Sequence, residues 1–229
     1  MPKSNAPTRR RSFHAANVAV IGLGRFGTAL ALELVKSGHQ VLGIDSDEKI
    51  VQSLAGQLTH VVTADTTDED TLRELGLADL DSAVVAIGAD LEASILTTSL
   101  LLQLGIKQVW AKANSSAHGK ILNQLGAHHV IFPEFEMGRR VAHMVSGESL
   151  DYVHIDEDFV MVKSICPPSF DGRSLAELKI RSNYGVTVVA SSHAGGEYSP
   201  AFPETVLQAG DHLIVAGRKQ PLDEFVQLG

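Results

Sequence analysis

Cysteine is nearly absent from this chain of 229 residues: Cys166 stands alone. No internal disulfide can form, so the fold must rest on its own apolar core, and a reducing, cytoplasmic compartment suits it. Cys166 precedes Pro167 and Pro168 with no catalytic partner pattern around it, and reads as a structural residue. Long apolar runs are missing too. No stretch reaches the roughly 18 to 20 apolar residues that span a bilayer. The most apolar helical candidate, Leu91 to Leu104, is interrupted by Glu92, Thr97, Thr98, Ser99 and Gln103. The N-terminal head lacks the apolar core of a signal peptide, so any membrane role is expected to come through a partner. Basic charge is not in excess either. The net charge of −8 opposes general affinity for nucleic acid, because phosphate binding needs a basic face. The one basic run, Arg9 to Arg11, lies ahead of the first strand. It reads as a solvated, disordered tail or as a contact for an acidic partner or lipid headgroups. No zinc-type ligand spacing occurs, and no internal repeat is visible.

What remains is a globular pattern, with 44% hydrophobic and 20% charged residues. From Asn17 to Phe132 short runs rich in Val, Ile and Ala alternate with helical segments. The runs 18–21, 41–44, 60–63, 83–87, 109–111 and 130–132 read as buried parallel strands. Gly38, Gly76, Gly105 and Gly126 close the helices between them, where a positive φ is often needed. Asp47, Asp68 and Ser115 stand at N-cap positions. Strand and helix alternating with short links predict a Rossmann-type, doubly wound parallel sheet of the α/β class.

After Pro133 the texture changes. Residues 136–146 read as a helix, 147–149 as a linker, and from Leu150 a small α+β module begins. Its expected strands are 152–155, 159–165, 186–190 and 212–216. Short helices are expected at 174–178 and 221–226, with turns at Gly195-Gly196 and Gly210-Asp211. The expected boundaries are therefore a head at 1–16, a nucleotide-binding domain at 17–135, a crossover helix and linker at 136–149, and a second domain at 150–229.

The sharpest motif is Gly22-Leu23-Gly24-Arg25-Phe26-Gly27, directly after the first strand and opening a helix. Gly22 permits the tight turn, Gly24 lets backbone approach a phosphate, and Gly27 lets the helix pack on the strand. The helix N-terminus, at Arg25 and Phe26, then offers free N–H groups to the anion. Asp45 ends the second strand, where its carboxylate can accept from ribose hydroxyls and would repel a 2′-phosphate. Asp65 and Thr66 follow the third strand and either border the adenine or cap the next helix. Gly88 and Lys112, after the fourth and fifth strands, are expected to line the same crevice. Arg25 suits a polyphosphate such as ATP better than the pyrophosphate of NAD, unless it is simply a solvated arginine.

An enzymatic constellation is not apparent. The second module is small for a substrate domain, and His154, His193 and His212 share no motif with a nucleophile. His128 and His129 are adjacent, so on a strand they face opposite ways. No catalytic residue is assigned.

The run Val18 to Gly27 resembles the start of the cytosolic regulatory subunits of Trk/Ktr-type potassium uptake systems, the RCK or KTN proteins. The likeness continues through Val85 to Ala89, Ile95 to Thr98, Val109 to Ala113, Leu125 to Glu134 and Met137-Gly138. In the second module Gly172 to Leu178, Tyr184 to Val186 and Gly210 to Gly217 resemble the RCK C-terminal, or TrkA-C, domain. The resemblance implies a homo-oligomer, a dimer assembled into an octameric ring, docked on the cytoplasmic face of a potassium-translocating membrane subunit. It implies ATP and ADP competing for the Rossmann site, with Arg25 reaching a neighbour's γ-phosphate. It further implies that Glu134 helps hold an activating cation, magnesium or calcium, whereas the residues alone also read it as an acid facing a helix dipole. Some C-terminal domains of this family bind cyclic di-AMP between paired chains, which here would involve 178–184 and 200–203. Asp65 stands where some relatives carry asparagine. An NAD(H)-responsive sensor, as in the TrkA branch, and a Rossmann oxidoreductase are the alternatives.

Overall fold

The computed structural model describes residues 16–145, 151–156, 158–193 and 196–228. The arginine-rich head through residue 15, the linker at 147–149 and Gly195 lie outside the described residues. The chain falls into two compact units, the first closing at Pro133 and the second opening at Glu134.

The first unit alternates strand and helix: β1 (Asn17–Ile21), α1 (Arg25–Lys36), β2 (Gln40–Asp45), α2 (Glu48–Leu54), β3 (His60–Thr63), α3 (Glu69–Glu74), β4 (Ser82–Val85), α4 (Leu91–Gln103), β5 (Gln108–Lys112), α5 (Ser116–Leu125) and β6 (His129–Ile131). The six strands form one sheet of order β3-β2-β1-β4-β5-β6, parallel at every pairing. Burial on both faces explains the near-continuous apolar strands. Along β1, Ala19 and Ile21 join a core with Leu72, Leu101 and Leu122 of α3, α4 and α5. Val18 and Val20 face the opposite core, with Ala31 of α1 and Leu54 of α2. This is the Rossmann order read from the alternation.

The expected caps are in place. Asp47 accepts from the Lys49 N–H at 2.8 Å, Asp68 from that of Thr71 at 3.2 Å and Ser115 from that of His118 at 3.2 Å. A fourth cap, Asp90 accepting from Ala93 N–H at 2.9 Å, was not read from the sequence. β4 ends at Val85, two residues earlier than its apolar run suggests. The Ala86 N–H still bonds to the Ile21 carbonyl at 2.7 Å, but beyond it the chain leaves the sheet.

The second unit contains α6 (Pro133–Val145), β7 (Asp151–His154), β8 (Phe159–Ile165), α7 (Leu175–Leu178), α8 (Ile180–Tyr184), β9 (Val186–Ser192), β10 (Ser199–Pro200), β11 (His212–Arg218) and α9 (Lys219–Val226). Its sheet has the order β10-β9-β11-β8-β7 and is antiparallel throughout. Helix α6 starts at Pro133 rather than at residue 136. A proline is well placed there, because the first turn needs no N–H from it. Two elements escape the sequence reading. Helix α8 is split from α7 by Lys179, whose φ of +47° is the left-handed conformation at which α7 stops. Strand β10 is only two residues, one of them Pro200, at the sheet edge where a proline is tolerated. Val160, Val162, Val186, Val188, Leu213 and Val215 form the core from the sheet side, and Leu222 and Phe225 close it from α9.

Cys166 sits in this core at 1% exposure. Burial, helped by the negative charges of Asp211 and Asp171, pushes its thiol up to about 11. Because the thiolate is the reactive form, a disulfide reagent at pH 8 is expected to label the folded protein more than roughly 100-fold slower than the urea-unfolded chain. Rapid stoichiometric labelling of the folded protein would show that Cys166 is accessible.

Candidate functional site

The site begins with two glycines that cannot be exchanged. The chain turns off β1 at Gly22, whose φ is +88° and whose N–H donates to the Ile44 carbonyl at 2.8 Å. A Cβ there would come 2.9 Å from the backbone nitrogen of Ile87, and one on Gly27 would come 1.9 Å from the Gly22 carbonyl oxygen. Helix α1 therefore packs on the end of β1 with no room for a methyl group. Gly24 differs. Its φ of −64° is open to any residue, and nothing lies within 4 Å of where its Cβ would stand. The protein itself does not require glycine there, but a ligand approaching the backbone would.

Helix α1 also differs from its neighbours at the N-terminus. The helices α2, α3, α4 and α5 each have an aspartate or serine side chain capping the first turn, whereas Gly24 supplies none. The first-turn N–H groups thus lack a side-chain acceptor, the condition in which a helix start receives an anion.

A cleft of about 320 Å³ opens beside this helix start, at the carboxyl ends of β1 to β4. Strand order reverses between β1 and β4, the place where such folds receive ligands. Of the residues read from sequence, Gly22, Gly24, Asp45, Asp65, Thr66 and Gly88 line it. Four do not. Gly27 is buried beneath the turn, Arg25 is exposed at the start of α1, and Phe26 is half-buried. Lys112 is buried, with its Nζ 5.9 Å from the Phe26 ring centre and 3.2 Å from where a Gly88 Cβ would stand. Its charge thus lies against the Gly88 segment rather than on the cleft wall. Ser46, Thr67 and Asp90 are polar wall residues the sequence reading missed. Their signal was positional: each follows closely on an expected strand end, but none belongs to a motif.

Asp45 accepts from the Leu23 N–H at 2.6 Å through one oxygen and from the Asp47 N–H at 2.9 Å through the other. It ties the glycine turn to the β2–α2 turn and retains lone pairs on both oxygens for further donors. Asp65 is held within its own turn and does not cap the next helix. It lines the cleft, and its carboxylate accepts from the Thr67 hydroxyl at 2.7 Å and the Thr67 N–H at 2.9 Å. The Thr67 hydroxyl first, then its backbone N–H, holds the Asp65 carboxyl below its ordinary value. The helix cap itself is Asp68. Thr66 is buried, with its hydroxyl 2.9 Å from that of Thr97 on α4.

Glu134 lies with Glu136 in the first turn of α6. Among the described residues no group of three His, Cys, Asp or Glu side chains converges to hold a metal. The paired histidines have separate surroundings. His128 accepts from the Val109 N–H at 3.0 Å, while His129 stacks on Trp110 with ring centres 3.7 Å apart. His193 pairs with the buried Asp211 at 2.7 Å. A second hollow, about 390 Å³, lies in the other unit, lined by residues including Leu175, Lys179, Arg181, Thr187, Phe202 and Pro203.

Residues 18–133 match the TrkA-N domain family and residues 165–228 the TrkA-C domain family. The chain is 37% identical over 212 residues to the Ktr system potassium uptake protein A of Bacillus subtilis (strain 168), covering 92% of this chain and 96% of that protein. Among solved structures, the GsuK channel bound to NAD superposes with a TM-score of 0.67 at 19% identity, over 95% of this chain and 40% of that one. GsuK bound to ADP gives a TM-score of 0.50 at 16% identity, over 62% of this chain and 40% of that one. At these identities the two structures speak to the fold alone.

The glycines differ in what the fold asks of them. Gly27→Ala drives a methyl group into a backbone carbonyl and is expected to destabilise the first unit by about 3 kcal/mol in urea unfolding. Gly24→Ala should leave stability within about 0.5 kcal/mol. Equal destabilisation by both changes would contradict this division.

Proposed function

This chain belongs to the TrkA-N/TrkA-C family, and from that premise we propose that it is the nucleotide-sensing regulatory subunit of a potassium uptake system. The observation that carries the reading is the match to a Ktr potassium uptake protein over nearly the whole of both chains, with a TrkA-N and a TrkA-C domain in this one. The role is regulatory, not catalytic: the subunit binds its nucleotide without turning it over. It acts on the cytoplasmic side of the membrane through a potassium-translocating integral membrane partner. No helix among the described residues is long and apolar enough to cross a membrane. The functional domains follow the two units, a nucleotide-binding domain that closes at Pro133 and a C-terminal domain preceded by α6.

In this reading the first-turn N–H groups of α1 receive phosphate, Gly24 permits its approach, and Asp45 accepts from the ribose hydroxyls. Asp45 also disfavours a 2′-phosphate, which argues against NADP. Asp65, Thr66 and Gly88 form the remaining wall, and Lys112 adds positive charge behind Gly88. Arg25, exposed at the mouth of the loop, is free to meet a phosphate presented by a second copy in a dimer or octameric ring. That arrangement gives ATP an additional partner that ADP lacks. A ligand shifts a conformational equilibrium only through such differential contacts. Glu134 joins a magnesium or calcium site only if further oxygens come from the ligand or a paired chain. The hollow around Lys179 and Arg181 is where cyclic di-AMP would bind.

A second reading, an NAD(H)-responsive sensor, draws on the fold shared with a channel solved with NAD. An oxidoreductase is the weakest, since the relatives matched over most of the chain are named as potassium uptake proteins. Calorimetric titration of nucleotide-stripped protein with ATP, ADP and NADH, each with and without magnesium, tests the proposal. ATP and ADP are expected to bind and NADH to bind weakly. Arg25→Ala should weaken ATP by about 10- to 100-fold, the worth of a charged hydrogen bond, and ADP by less than about 3-fold. NADH binding best, with ATP weak, would contradict it and favour the redox sensor.

A further inference from the structure

His118, in the first turn of α5, is a buried imidazole that the nucleotide reading does not use. It is 2% exposed, and desolvation lowers its pKa, which keeps the ring neutral. Its Nδ1 accepts from the Asn114 N–H at 3.3 Å, so the ring proton resides on Nε2. That Nε2 is fully buried and has no hydrogen-bond partner among the described residues. An unpaired buried donor is a net cost to folding, one that an apolar side chain of similar volume would not carry.

What this histidine holds leads back to the cleft. Asn114 is itself exposed, and its Nδ2 donates to the Gly88 carbonyl. Gly88 belongs to the stretch between the end of β4 at Val85 and the start of α4 at Leu91, and all five residues of it, Ala86 to Asp90, line the cleft. No sheet or helix hydrogen bonding fixes the Gly88 carbonyl, so the Asn114 side chain performs that task from the β5–α5 turn.

We propose that His118 and Asn114 form a clasp that positions the Gly88 wall of the cleft for its ligand, with His118 a positioning residue retained at a cost to stability. The proposal rests on the cleft being a nucleotide site. It makes the wall a tethered segment whose placement depends on α5, so that occupancy of the cleft and the setting of α5 are coupled through two side chains.

The test is ADP titration by calorimetry, paired with thermal unfolding, on the wild-type chain, Asn114→Ala, His118→Leu and the double variant. Asn114→Ala is expected to weaken ADP binding about 5- to 10-fold, the scale of one hydrogen bond. Its unfolding midpoint should stay within about 2 °C of wild type, since the side chain is exposed. His118→Leu should show a similar loss of affinity with an unchanged or raised midpoint, a combination that a merely structural histidine would not give. The double variant should lose no more than the weaker-binding single variant, because both act through one clasp. Unchanged affinity in Asn114→Ala, or losses that multiply in the double variant, would overturn the clasp. If His118→Leu fails to fold, Asn114→Ala decides alone. If the wild-type chain binds no ADP, ATP or NADH, the nucleotide reading itself fails and the clasp falls with it.

Discussion

The contact between Gly22 and Gly27 is the constraint on which the rest of the site depends. With a carbonyl oxygen where the second residue's Cβ would be, α1 comes as close to β1 as a helix can. That approach places the helix start, with its uncapped N–H groups, at the carboxyl end of β1, where the strand order reverses. It also brings Leu23 within 2.6 Å of Asp45, and Asp45 in turn holds the turn before α2. In the proposed reading, the phosphate site, the ribose site and the link between them follow from one steric requirement.

The electrostatics show the same economy. The chain carries a net charge of −8, and two of the polar groups on the cleft wall beyond the loop are the aspartates Asp65 and Asp90. Attraction for an anion therefore cannot come from overall charge. In the proposed reading it comes from the local field of the α1 N-terminus. Such a site selects by position rather than by charge. In the proposed reading a phosphate is favoured at the loop, while Asp45 would turn a second phosphate away from the ribose.

The parallel sheet was legible because its strands are buried on both faces and so carry short apolar runs, and because glycine and Asp or Ser punctuate the helices between them. The glycine loop and Asp45 were legible because their chemistry forces a spacing. What was not legible depends on distant segments meeting. Asn114 reaching Gly88, the Thr66–Thr97 hydroxyl pair and the placement of Lys112 against Phe26 are tertiary facts with no local periodicity. Ser46, Thr67 and Asp90 reached the cleft wall merely by following strands. The α7–α8 break was missed because Lys179 adopts a left-handed conformation usually assigned to glycine or asparagine.

The most direct test of the central claim, that ligand is held at the start of α1 and across the strand switch point, is hydrogen–deuterium exchange with and without saturating ADP. Slowed exchange is predicted at the amides of 23–28, with smaller protection at 45–47, 65–67 and 87–90, and none along 160–165 or 213–217. Protection absent from 23–28, or confined to the second unit, would contradict the account.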